Sequence, residues 1–222
     1  MYKNKAVFFD FDYTLTNFDS FKSFLIFYYS KNFIKFLIYF PFLFFAFVFR
    51  KLKIINLKTA KELLLIGLKG KSRTSIHKLG QDFINIKFEK LFNKKALQTI
   101  QNFRQTGYLI FLVTSAPNIY FEHVKNRFGF NEVCCCEMIY KNNVFTGKIS
   151  SHTCFGMEKK KYILLVSKQH SIDLSKSYAY TDNISDLPML EVVGNPVVVN
   201  VNNELIKLAQ QRKYDIVYWF NV

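Results

Sequence analysis

The chain has 222 residues, half of them apolar, with 31 Lys and Arg against 16 Asp and Glu and a formal net charge of +15. That length suits one domain, or one domain carrying an insertion, and the apolar share can bury a core without disulfide or metal staples, which excludes a disordered chain and a disulfide-framed miniprotein. The charge suits an anionic surface or an acidic substrate, although Lys, Asn, Ile, Phe and Tyr are plentiful together, as a bias of composition without functional selection would also make them.

The first element is Ala6-Val7-Phe8-Phe9. Four consecutive apolar residues predict a strand buried on both faces, as in a parallel sheet covered by helices. It ends in Asp10-Phe11-Asp12-Tyr13-Thr14 and is far too short for a secretory leader, so none is expected. From Phe18 to Phe49 the chain holds fifteen aromatics, with Lys22, Lys31 and Lys35 as its only basic residues. Asp19 suits the N-cap of a helix starting at Ser20.

Phe36–Phe49 is a 14-residue apolar run interrupted by Pro41. As a helix it reaches roughly 21 Å at ~1.5 Å per residue, short of the ~30 Å hydrocarbon core of a bilayer. Lys35 lies at one end and Arg50, Lys51 and Lys53 at the other. The pattern therefore predicts a shallow re-entrant or interfacial segment with both ends at one headgroup layer, rather than a span. The competing expectation is a helical layer that buries its aromatics against the core. Arg50 to Lys78 is basic, with Glu62 its single acid, and would face anionic lipid. Helical patterns follow at Lys58–Leu68 and Thr74–Ile86. Gly67 to Ser72 imitates the tail of a nucleotide-binding loop, but Leu65 stands where that motif needs Gly and no buried strand precedes it.

A strand–helix rhythm starts near Asn93. It comprises a helix at Lys94–Gln105 closed by Gly107, a strand at Tyr108–Val113 ending in Thr114-Ser115-Ala116-Pro117, and a helix at Tyr120–Phe128. Cys134, Cys135 and Cys136 follow; with Cys154 they lack zinc spacing and read as small apolar residues, the triplet on a buried strand, in a reducing compartment. Met138–Tyr140 and Val144–Ile149 predict a hairpin turned by Asn142-Asn143. Then come a helix at Lys159–Ser167, a strand at Ser177–Thr181 leading into Asp182-Asn183-Ile184-Ser185-Asp186, a strand at Pro196–Val201, a helix at Asn203–Gln211 and a strand at Ile216–Trp219. The alternation predicts an α/β fold with a doubly wound parallel sheet, interrupted by a helical insertion over residues 17–90. His77, His123, His152 and His170 show no metal spacing. Because the aromatic and basic blocks are consecutive rather than interleaved, no nucleic-acid partner is expected.

Asp10, Thr114 and Asp182 each directly follow an apolar strand, where such sheets place their chemistry. With these residues the chain resembles the haloacid dehalogenase superfamily, in the branch containing phosphoserine phosphatase and phosphatidylglycerophosphatase C. The DxDxT motif is Asp10 to Thr14; Thr114 ends the second motif; Gly156-Met157-Glu158-Lys159 matches the third; Asp182 and Asp186 match DxxxD. The resemblance implies a Rossmann-like core (residues 1–16 and 91–222) with a helical cap (17–90). It also implies a Mg²⁺-dependent phosphomonoester hydrolase. In that reading Asp10 is the nucleophile that becomes an aspartyl-phosphate, and Asp12 is the general acid and base. Asp10 and Asp182 hold Mg²⁺ with the Asp12 carbonyl. Thr114 and Lys159 contact the phosphoryl group, and Lys161 is the alternative lysine. Asp186, Asn183, Thr14 and Ser115 support the site. Asp19 either contacts a substrate amine or only caps its helix, and no basic residue of the insertion stands out as a carboxylate partner. The expected substrate is a lipid phosphate such as phosphatidylglycerophosphate, met in the cytoplasm at the inner face of the membrane. The alternatives are a soluble small-molecule phosphatase of phosphoserine type and a non-enzymatic membrane adaptor that keeps the fold. Two departures stand out: Tyr13 and Thr181 occupy positions where the family often has Gly. Tyr13 is expected to narrow the pocket or contact the leaving group, or else to pack under the cap.

Overall fold

The computed structural model of the chain describes residues 4–200 and 203–219. The strands are β1 (Ala6–Phe9), β2 (Leu109–Pro117), β3 (Glu132–Cys136), β4 (Met138–Lys141), β5 (Val144–Ile149), β6 (Tyr178–Thr181), β7 (Asn195–Val199) and β8 (Asp215–Val217). The helices are α1 (Ser20–Ser30), α2 (Phe33–Lys51), α3 (Leu57–Leu64), α4 (Arg73–Leu91), α5 (Lys94–Gln105), α6 (Phe121–Phe128), α7 (Met157–Gln169), α8 (Leu187–Leu190) and α9 (Asn203–Arg212). Six strands form one parallel sheet in the order β3-β2-β1-β6-β7-β8, the doubly wound arrangement that the alternation predicts. β1 lies inside it because its four residues are apolar and fully buried on both faces.

Side chains alternate across the sheet. Val7, Phe9, Ile110 and Leu112 therefore enter one core layer, and Ala6, Phe8, Phe111 and Val113 the other. The first layer is aromatic: Phe9 stacks on Tyr180, and Trp219 stacks on the far side of Tyr180, ring centres 4.9 and 5.6 Å apart. The second is mostly aliphatic, with Ile163, Val166, Met189 and Leu205 around the stacked rings of Phe8 and Phe111, 5.1 Å apart. Pairing of Phe9 with both Leu112 and Tyr180 brings Asp10, the Thr114 stretch of β2 and Asp182 to one edge of the sheet. The hairpin β4–β5 stands apart, its turn made by Asn142 and Asn143 at φ 48° and 65°, the left-handed pair such turns require.

α1 to α4 leave the sheet after β1. Asp19 caps α1 by accepting from the Lys22 N–H at 2.8 Å. The aromatics of α1 are core residues: Phe24 and Phe27 pack on Phe83 of α4 at 5.5 and 5.6 Å, and Phe24 also meets Tyr120. α4 comes close because it carries Gly80, where an added Cβ would stand 2.1 Å from the Ile119 carbonyl oxygen.

Several expectations are corrected. The aromatic run does not turn back at Pro41: α2 continues from Phe33 through Lys51, roughly 28 Å at ~1.5 Å per residue. Proline removes one backbone donor, and the packing of Phe36, Tyr39, Leu43 and Ala46 against the rest of the molecule holds the helix through it. β3 is an edge strand on which Cys134 and Cys135 are only half-buried, so the cysteine strand is not a buried one. β2 runs on to Pro117 through a register shift, which sets Thr114 within the strand rather than after it. The helical pattern at Lys58–Leu68 ends early, at Leu64, and Ile66–Leu68 is a single tighter turn. The last strand stops at Val217, and Val201 lies outside the described residues.

Candidate active site

Asp10 is the first residue past β1, where its N–H donates to the Tyr180 carbonyl at 2.9 Å. Its side chain is buried, and so are those of Thr114, Lys159 and Asp186. Lys159, one turn into α7, places Nζ 2.5 Å from Asp10 Oδ1 and 2.7 Å from Asp186 Oδ2. Thr181 Oγ1 donates to that Asp186 oxygen at 2.9 Å. Lys161, the other candidate, is exposed on the same helix. The Thr14 hydroxyl sits between two carboxylates, 3.3 Å from Asp10 Oδ2 and 3.2 Å from Asp182 Oδ1, and the Asp182 N–H donates to it at 3.1 Å. Asp12 is turned toward the insertion, its Oδ1 accepting from the Ser20 N–H at 2.8 Å.

A cavity of about 190 Å³ joins these groups, lined by Asp10, Asp12, Tyr13, Asp19, Thr114, Ser115, Phe155, Lys159, Asp182, Asn183, Ser185 and Asp186. Of the residues given a role at the site in the sequence, Thr14 does not line it but bonds to two that do, and the alternative lysine, Lys161, lies outside it. Asn183 is partly structural, its side chain accepting from the Ser185 N–H. Tyr13 lies at the rim, 48% exposed and so not packed under the insertion, at φ 57°. The turn needs a left-handed residue there, which is why Gly suits it.

The electrostatics are those of crowded carboxylates. Burial, with repulsion from Asp19 next, pushes Asp12 up to about 7. Burial and then the neighbouring Asp10 push Asp182 up to about 8. Burial raises Asp10 as well, opposed by the charge of Lys159. Lys159 is held above the ordinary lysine range by its two carboxylates, which outweigh its own burial. Asp186 Oδ1 is buried without a hydrogen-bond partner among the described residues. The site therefore holds more negative oxygen than its own donors neutralise. Asp10 and Asp182 are hard oxygen donors a shared hydroxyl apart, a set that fits Mg²⁺. Among the described residues no group of three or more His, Cys, Asp or Glu side chains surrounds one cation position.

Phe155 and Ser185 line the cavity without having been given a role in the sequence, and a third residue, beside it, was missed as well. Lys61 of α3 is 6% exposed, and its ammonium donates to the Ser115 carbonyl. Burial lowers its pKa, and the charges of Cys136, Asp12 and Asp19 oppose that. Leu57, Ala60, Lys61 and Leu64 share one helix face, so a lysine set in an apolar stripe was the signal.

Residues 7–191 match the family model described as haloacid dehalogenase-like hydrolase. A putative hydrolase of Mycobacterium leprae is 23% identical over 152 residues, covering 68% of this chain and 51% of that protein. A phosphoserine phosphatase of Mycobacterium tuberculosis is 24% identical over 153 residues, covering 68% and 49%. The chain thus spans about half the length of these relatives. In fold it is similar to a protein of unknown function from Bordetella pertussis, with TM-score 0.85 at 19% identity over 99% of this chain and 100% of that one. It is also similar to a phosphoserine phosphatase solved as a phospho-aspartyl intermediate analogue, with TM-score 0.67 at 18% identity over 99% and 95%.

Proposed function

The chain belongs to the haloacid dehalogenase-like hydrolase family, and from that premise we propose that it is a Mg²⁺-dependent phosphomonoester hydrolase working through Asp10. The observation that carries this reading is the buried ammonium of Lys159 bridging Asp10 and Asp186 at 2.5 and 2.7 Å, at the edge where β1, β2 and β6 end. A carboxylate fixed in this way is a positioned nucleophile.

In the first step an Asp10 oxygen attacks phosphorus, the ester P–O bond breaks, and the leaving oxygen takes the proton of Asp12. With Asp12 pushed up to about 7, a proton is available there near neutral pH. In the second step water attacks the aspartyl-phosphate, the Asp12 carboxylate takes its proton, and Asp10 is released with inorganic phosphate. Thr114 and Ser115 orient the phosphoryl oxygens, Lys159 balances their charge, and Thr14, Asn183 and Asp186 hold the carboxylates in place. When bound at Asp10, Asp182 and the Asp12 carbonyl, Mg²⁺ neutralises charge on carboxylates and phosphate together. Residues 17–90 act as a cap over a core of 1–16 and 91–222, with Asp19 and Lys61 at their junction.

The substrate we favour is a lipid phosphate such as phosphatidylglycerophosphate, hydrolysed on the cytoplasmic side. Support comes from α2, rich in exposed aromatics and packed beside the helix that carries Lys61. A second reading is a small zwitterionic phosphate of phosphoserine type, favoured by one anion and one cation, Asp19 and Lys61, beside the cavity. The test is Mg²⁺-dependent phosphate release from an aryl phosphate, with Asp10→Asn as the control. Equal turnover by both proteins ends the covalent mechanism, and no turnover by a folded wild type supports a non-enzymatic adaptor. Comparing kcat/KM on phosphatidylglycerophosphate and phosphoserine separates the two substrates.

A further inference from the structure

α2 has two unlike sides. Phe36, Tyr39, Leu43 and Ala46, at helical spacing, lie against the protein. On the opposite side Ile34, Leu37, Ile38 and Phe45 are 75, 58, 59 and 47% exposed. Over 18 of its residues mean hydropathy is 1.9, and of these Ala46 alone is fully buried, Phe36, Tyr39 and Leu43 being partly so. A contiguous apolar face of this kind is costly in water and marks a surface that something covers.

Charge decides what covers it. From Ser20 to Lys61 the sequence carries eight Lys and Arg and not one Asp or Glu. Lys31 and Lys35 stand at the start of α2, and Arg50, Lys51 and Lys53 at its end. A second copy seated on this face would bring those cations together, which disfavours self-association. An anionic headgroup layer would meet them at both ends while the apolar side enters the acyl boundary. The inner side also fixes the orientation. A helix fastened to the protein from Phe36 to Ala46 cannot be ringed by lipid, so it lies along the bilayer surface rather than across it.

We infer that the outer face of α2 is a docking surface for an anionic bilayer, on which the helix lies in plane with half its circumference immersed. This rests on the proposed function only in giving a lipid phosphate a route to the site.

The test is flotation with vesicles of phosphatidylglycerol and phosphatidylcholine, against phosphatidylcholine alone. The wild type is expected to float with the anionic vesicles, to be released by high salt acting on the lysines, and to be extracted by alkaline carbonate. The triple variant Leu37→Ser, Ile38→Ser, Phe45→Ser, whose positions face away from the core, is expected to lose at least tenfold in vesicle-bound fraction. Its turnover of a soluble aryl phosphate should be unchanged, which reports folding and chemistry independently of docking. Wild type that stays at the bottom of the gradient, a triple variant that floats equally, or a dimer that the triple variant abolishes would each overturn the inference. Resistance of the wild type to carbonate would overturn the in-plane orientation. Loss of aryl phosphate turnover in Asp10→Asn with flotation intact keeps the two readings separate.

Discussion

Asp12 and Lys61 make different demands on a reader of the sequence. Asp12 is legible, because two carboxylates two residues apart after a buried strand are an unusual arrangement. The proposal that it works as an acid rests on burial and on Asp19, which push it up to about 7. Asp12→Asn is expected to lower kcat on an alkyl phosphate by about 10²–10⁴-fold, and by less on an aryl phosphate, whose leaving group needs little protonation. An equal loss on both substrates would remove Asp12 as the acid of the first step and leave it only the base of the second. Lys61 is one cation among eight in its stretch, and only the contacts of α3 pick it out. Lys61→Met is expected to reduce kcat/KM for phosphoserine roughly 10- to 100-fold, the worth of about one to two charged hydrogen bonds. Aryl phosphate should be far less affected. Parallel losses on both would make Lys61 a support for Ser115 rather than a substrate contact. Cys134 and Cys135 show the opposite error: apolar in character, they sit on an edge that a one-dimensional reading cannot locate.

At the scale of elements, strands and helix starts were read closely. A four-residue apolar run bounded by Asp, or an Asn-Asn turn between alternating residues, carries its own signal. α2 was misread for a physical reason. Its residues are apolar all round, so periodicity gave no face, and Pro41 suggested a break that packing on one side overrides. The aromatics of residues 18–49, treated as one block in the sequence, divide between helices: those of α1 are core and many of those of α2 are exposed. Gly80 holds α4 within reach of the loop before α6. Gly80→Ala would place a Cβ 2.1 Å from the Ile119 oxygen and is expected to destabilise the protein by about 2 kcal/mol, as overpacking does. Urea unfolding measures it. A change under about 0.5 kcal/mol would mean that α4 can shift at little cost.

At the scale of the whole molecule, the parallel register brings together residues from positions 10 to 186 of the chain. Carboxylates gathered in this way are buried and repel, and burial first, then Asp10, pushes Asp182 up to about 8. A cation that binds only the folded state should therefore stabilise the protein by mass action. EDTA is expected to abolish turnover and to lower the melting temperature by several degrees at neutral pH, with both restored by Mg²⁺. A melting temperature indifferent to Mg²⁺ would remove the ion from this site. By itself the sequence determined the parallel α/β core and most residues lining the cavity, because strand burial and strand-end polar residues are local patterns. Only the tertiary structure decided that Lys159 rather than Lys161 meets Asp10, that Lys61 reaches the Ser115 carbonyl beside the cavity, and that α2 leaves one side uncovered by the rest of the chain. Each of these depends on which way a helix faces once it is packed, and in a lysine triplet or an all-apolar run every rotation looks the same along the chain.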